Sequence, residues 1–115
     1  MHFKELEVWK KSMRLVNEIY KITNQFPKSE VYALASQMQR AAVAIPSNIA
    51  EGSRRNHKAE YIQFLGIALG SAAELETQIL IAEEQYRQFD YTIVKGLTDE
   101  TQKMLYSMIN KLKNH

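Results

Sequence analysis

The chain has 115 residues, 45% hydrophobic and 24% charged, a globular composition that excludes a disordered or fibrous polypeptide. Four glycines and two prolines are too few for a turn-rich β-sandwich; the absence of cysteine excludes a disulfide framework, a thiolate zinc site and a thiol nucleophile. A net charge of +2 neither demands nor forbids an anionic partner, and the length suits a single domain over residues 1–115.

No apolar run follows the first five residues, so no secretory signal is expected and a cytoplasmic location is. The first predicted helix covers about residues 5–25. Leu6, Trp9, Met13, Val16, Tyr20 and Thr23 form one stripe, and Leu15, Ile19, Ile22 and Phe26 a second. Pro27 stops it. Ser29 is the expected N-cap of a second helix, with Glu30 suiting its positive end and Val31, Leu34, Met38, Ala42, Ile45 and Ile49 as its stripe. Pro46 is expected to kink this helix and Gly52 to end it in the left-handed conformation, before a loop at residues 53–56.

The third helix starts near His57, with Asn56 as cap. Tyr61, Leu65, Ala68, Ala72, Leu75, Ile79, Ala82 and Tyr86 alternate spacings of four and three, the pattern of bundle packing. The fourth is weaker, carried by Val94, Leu97, Met104 or Leu105, Met108 and Leu112. Gly96 costs it about 1 kcal/mol relative to alanine, and Thr98-Asp99-Glu100 offers a restart. No segment alternates with period two and no internal repeat is visible. The expectation is all-α: an antiparallel up-down four-helix bundle. Helices one and three carry more apolar surface than one core needs, which predicts a homo-oligomer. The longest stretch free of charged or large polar residues, 64–73, falls short of the roughly twenty a membrane span needs, so no membrane partner is expected.

A carboxylate-bridged di-iron site in such a bundle needs Glu-x-x-His pairs, and none exists. The histidines are His2, His57 and His115, two terminal and one beside a loop. Glu74, Glu76, Glu83 and Glu84 spread around helix three as a solvated or intersubunit face. Gly66 to Ser71 lacks the lysine and spacing of a phosphate loop, and no Gly-x-Ser-x-Gly elbow is present. No catalytic residue, cofactor or metal ligand is therefore predicted, and the chain is not expected to be an enzyme.

Residues 1–58 carry a net charge of +5 and residues 59–115 a net −3. Lys10, Arg14 and Lys21 share one face of helix one, with Lys11 at its edge. Arg40 lies on helix two, and Arg54, Arg55 and Lys58 cluster at the next loop. These eight residues are candidate RNA or DNA contacts, with binding that falls as salt rises. The bland alternative is a solvated face plus pairing with the acidic half.

The segment 37–52, Q-M-Q-R-A-A-V-A-I-P-S-N-I-A-E-G, sets proline inside a helix and follows it with Asn-Ile-Ala-Glu-Gly. It resembles the signature of the four-helix bundle family first noted as proteins encoded in 23S ribosomal RNA intervening sequences. The match extends to Val8-Trp9-Lys10-Lys11, Phe26-Pro27, residues 64–71 and Glu74-Leu75-Glu76-Thr77, about residues 3–90 in order. Ala44 stands where the family often has serine, and Ala73 where a larger apolar residue is usual. The resemblance implies a homo-oligomeric ring, usually a homopentamer. The family is similar to the accessory variability determinant protein of diversity-generating retroelements, which binds nucleic acid and a reverse transcriptase.

Within the signature, Pro46 and Gly52 read as structural. Asn48 is placed to bond carbonyls released by Pro46, and Glu51 to pair with Arg40, Arg54 or Arg55. The leading expectation is a non-enzymatic oligomeric scaffold binding RNA or DNA, alongside a reverse transcriptase or other protein. The alternative is a purely structural homo-oligomer.

Overall fold

A computed structural model describes residues 2–114; Met1 and His115, one of the three histidines, lie outside it. Four helices account for most of the chain: α1 (Glu7–Thr23), α2 (Leu34–Ser53), α3 (Lys58–Gln85) and α4 (Thr92–Lys113). Short 3-10 turns occupy Phe3–Glu5 and Lys28–Glu30, and no strand occurs among the described residues. Helix α1 packs on α2 and α4, and α3 packs on the same two, so α1 and α3 occupy opposite corners of a rod 46 × 21 × 20 Å.

The second stripe of α1 and the stripes of α2, α3 and α4 supply the core, while Met13 and Tyr20 of the first α1 stripe remain exposed. Leu15, Ile19, Met38, Ile45, Ile49, Leu65, Leu75, Ile79 and Leu105 are fully buried, each contributing roughly 1.5–3 kcal/mol. Buried hydroxyls sit among them because each bonds its own helix: Thr23 donates to Ile19 O at 2.7 Å, Thr98 to Val94 O at 2.6 Å and Thr101 to Leu97 O at 2.7 Å. Gln39 Nε2 donates to Thr23 Oγ1 at 3.0 Å, tying α2 to α1. In α4 the buried member of the Met104–Leu105 pair is Leu105; α4 runs without a restart at Thr98.

Three helix ends differ from expectation. Ser29 falls in the 3-10 turn behind Pro27, and α2 begins only at Leu34, whose N–H is held by Glu30 Oε1 at 3.3 Å. Val31 is consequently outside the helix and half exposed. Asn56 does not cap α3, which starts from His57 in extended backbone without a side-chain bond. Gly52 is helical and buried, with no positive φ. Its reason is contact: a Cβ there would stand 2.7 Å from Phe64 Cβ and 3.1 Å from Tyr61 Cδ1 of α3.

Helix α2 passes through Pro46 as one helix. Proline leaves the Ala42 carbonyl without its usual donor. Asn48 Nδ2 instead donates to Ala44 O at 2.8 Å and Ser47 Oγ donates to Val43 O at 2.8 Å, so Asn48 does not serve the Ala42 carbonyl.

Helix α3 buries Leu65, Ala68, Ala72, Leu75, Ile79 and Ala82 as its spacing predicts. Its other side is also apolar: Ile67, Leu80 and Ile81 are nearly half exposed, and Gly66, Gly70 and Ala73 lie bare between them. By length and composition α3 is apolar enough to cross a membrane, and about a third of its most apolar stretch is buried within the bundle. The shorter uncharged stretch counted in the sequence ends at Glu74, whose charge and that of Glu76 the surrounding leucines, isoleucines and alanines outweigh.

Candidate nucleic-acid interface

Spacings of four and seven put Lys10, Arg14 and Lys21 on the exposed face of α1, opposite Leu15, Ile19 and Ile22. Lys10 Nζ lies 3.4 Å from Glu7 and Lys21 Nζ 3.0 Å from Glu18, each one helical turn away. Such surface pairs contribute about 0–1 kcal/mol, so a phosphate competes for the lysines with little loss. Among the described residues no hydrogen bond or ion pair engages the Arg14 guanidinium.

The other five candidates divide. Lys11 is a bundle contact, paired with Glu100 of α4. Arg54 stacks 5.3 Å over Phe3, its Nη2 is 3.1 Å from His2 Nε2, and Phe3 packs edgewise on Trp9 at 5.4 Å. Arg55 stacks 4.8 Å over Phe64 and pairs with Glu51 at 3.0 Å, which decides among the three arginines offered for Glu51. Lys58 is exposed at the start of α3. Arg40 is exposed on α2, between two adjoining cavities. One, about 450 Å³, is lined by Tyr20, Ser36, Gln39 and Val43; the other, about 550 Å³, by Tyr32, Ser36, Gln37, Ala41 and Glu74.

The outward cations of α1 and α2 are thus Lys10, Arg14, Lys21 and Arg40, with Lys58 exposed at the start of α3, while Arg54 and Arg55 fix the N-terminal turn and the start of α3. Tyr32, 96% exposed, did not stand out in the sequence as a site residue, nor did Glu74 as a residue sharing a cavity with Arg40. Nothing local signals either, because 34 positions separate Arg40 from Glu74 and only the α2–α3 contact joins them.

Perturbed titrations lie at the bundle ends. The Glu30 carboxylate, accepting the Tyr86 hydroxyl, holds that phenol above its usual range. Thr92, whose N–H donates to Asp90 Oδ1 at 2.9 Å, holds Asp90 below the usual carboxylate range. Burial raises Tyr61 and Tyr91, and the Tyr91 hydroxyl donates to Ala82 O at 3.1 Å and Tyr86 O at 3.0 Å. Among the described residues no group of three or more histidines, aspartates or glutamates is placed to hold a metal ion.

The model of the 23S rRNA-intervening sequence protein family matches residues 4–107. The chain belongs to that family. Its fold is similar to a crystal structure from Bacteroides thetaiotaomicron, described as a protein of unknown function from the S23 ribosomal protein family. The TM-score is 0.81 at 24% identity, over 89% of this chain and 97% of the other. That likeness establishes the four-helix fold alone. No protein of curated function matches the chain. Neither the family's description nor the neighbour's names a catalytic activity.

Proposed function

We propose that this protein is a non-enzymatic, cytoplasmic scaffold that assembles into a homo-oligomeric ring and binds RNA or DNA. The observation that carries the binding reading is the outward row of Lys10, Arg14 and Lys21 on α1, with Arg40 exposed on the adjacent α2. Cations so placed track a phosphate backbone, releasing counterions from the nucleic acid. The bundle is antiparallel, up and down, in keeping with Gly52 meeting Tyr61 and Phe64 while Arg40 lies beside Glu74. A reverse transcriptase or other protein partner comes from the resemblance to retroelement accessory proteins.

The surplus apolar face of α3 supports the ring, and the homopentamer is the family's usual size. Exposed apolar surface of this extent marks a contact site. The outer side of α3, centred on Gly66, Gly70, Ala73 and Leu80, is better matched to a second copy than to lipid, because Glu84 lies along it and Glu74 at its α2 edge, and charged groups at bilayer depth are costly.

Titrating labelled RNA and DNA at two salt concentrations tests the binding reading. Binding that weakens with salt is expected, and the joint substitution Lys10→Ala, Arg14→Ala and Lys21→Ala should weaken it while leaving the assembly mass unchanged. No binding at low ionic strength sinks the reading. Light scattering that gives a particle of 13.3 kDa refutes the ring. The second reading, a purely structural oligomer, is favoured by one observation: Lys11, Arg54 and Arg55 are engaged inside the protomer.

A further inference from the structure

We infer that the cavity between α2 and α3, lined by Tyr32, Ser36, Gln37, Arg40 and Glu74, seats an unstacked guanine base of a bound single strand. The inference rests on the proposed nucleic-acid binding and specifies the part of the ligand that this surface reads.

Four features of the cavity converge. Its volume, about 550 Å³, is ample for a base with its sugar and phosphate, and it is predominantly polar in its lining. Tyr32 is 96% exposed and among the described residues makes no ring contact or hydrogen bond; it is the residue type on which splayed bases stack. Ala41 and Ala44 form a low floor on α2 that lets a flat ring approach the helix. Arg40 and Glu74 face the same space, yet among the described residues neither makes an ion pair or hydrogen bond.

A guanidinium and a carboxylate on one cavity select among bases. The Glu74 carboxylate only accepts hydrogen bonds. Guanine offers two adjacent donors on its Watson–Crick edge, N1–H and N2–H. Adenine and cytosine place a ring-nitrogen acceptor there, and uracil or thymine flanks one donor with two carbonyls. Arg40 complements guanine's O6 and N7 acceptors or the neighbouring phosphate. Tyr20 of α1 shares the adjoining cavity with Arg40, so the surface beside the base site continues towards α1. In a duplex the Watson–Crick edge is already paired, which restricts the site to single strands.

The test compares oligothymidine with the same strand carrying one guanine, on the full chain at low salt. About tenfold tighter binding of the guanine strand is expected. Glu74→Gln should abolish that preference, so that the variant binds the guanine strand and plain oligothymidine equally, and Tyr32→Ala should weaken the guanine strand by about tenfold. Free guanosine monophosphate should compete only at much higher concentration; if it binds as tightly as the strand, assignment to a strand is overturned. Equal affinity of the wild-type protein for both strands, or a preference surviving Glu74→Gln, overturns the base site and leaves backbone binding standing. Absence of any strand binding removes both readings. The wild-type comparison needs no variant, and unchanged melting of each variant shows that its fold is intact.

Discussion

Replacing Gly52 by alanine places a methyl group where α2 and α3 have no room. The new Cβ would lie 2.7 Å from Phe64 Cβ, 3.1 Å from Tyr61 Cδ1 and 3.4 Å from Tyr61 O. Carbon atoms pack best at about 3.5–4.0 Å, so the closest contact is short by about 1 Å. Phe64 Cβ is fixed to the backbone of α3, and no rotamer change moves it; the helix itself must shift, disturbing Arg55 stacked on the Phe64 ring. Overpacking of this kind costs about 2–3 kcal/mol, and exchanging glycine for alanine inside a helix returns about 1 kcal/mol. The net loss is about 1–2 kcal/mol, equivalent to a fall in Tm of about 4–10 °C for a chain of this size. Gly96→Ala is the internal control, because a Cβ there meets nothing within 4 Å; it should raise Tm by about 2–5 °C. Thermal melts by circular dichroism at one fixed protein concentration measure both, since assembly makes Tm concentration-dependent. Gly52→Ala melting at or above the wild type would refute the close approach of the two helices.

Gly70→Arg adds a side chain where a Cβ meets nothing within 4 Å of the protomer, so helicity should persist while light scattering shows a fall towards 13.3 kDa. An unchanged assembly mass places the subunit contact elsewhere than the outer face of α3. Tyr91→Phe removes a buried hydroxyl that serves two carbonyls at the end of α3 and should cost about 1–2 kcal/mol in chemical denaturation. Because the folded protein holds Asp90 below the ordinary carboxylate range, its contribution is present above that range and lost as pH falls through the lowered value. The difference in Tm between wild type and Asp90→Asn should therefore shrink on acidification, and a gap that widened would contradict the Thr92 contact. For the joint Lys10, Arg14 and Lys21 variant, the slope of log affinity against log salt should flatten by about 2–3 on duplex DNA.

Most helix bodies were legible because their cause is local. The four-and-three spacing from Leu65 to Ala82 is itself the buried face of α3, and no distant residue can alter which side it presents. The ends were less legible because competing local rules give several answers. Ser29 satisfies an N-cap preference, yet the turn imposed behind Pro27 delays α2 to Leu34 and hands the role to Glu30. Gly52 satisfies a C-cap preference, while its actual cause is Phe64, twelve positions away on another helix. The charged face divided in the same way. Glu7 and Glu18, three residues before Lys10 and Lys21, announce their pairs in the sequence. The Arg54–Phe3 stack joins residues 51 apart and leaves no local trace.

That division bounds what one protomer achieves. A net +5 over residues 1–58 suggests a strong electrostatic surface, but Arg54, Arg55 and Lys11 are spent on the N-terminal turn, the start of α3 and the α1–α4 contact. The four outward cations of α1 and α2 give a salt slope of about −3 on a single strand, a weak contact by the standards of nucleic-acid proteins. A ring repeats the same row around its circumference, and strand segments then engage neighbouring copies at high effective concentration. The proposed binding consequently depends on the proposed assembly in a measurable way. Gly70→Arg, which touches none of Lys10, Arg14, Lys21 or Arg40, should lower strand affinity well beyond the loss of any one cation if assembly supplies the avidity. If affinity is retained in a monomeric variant, the protomer alone suffices and the ring serves another purpose.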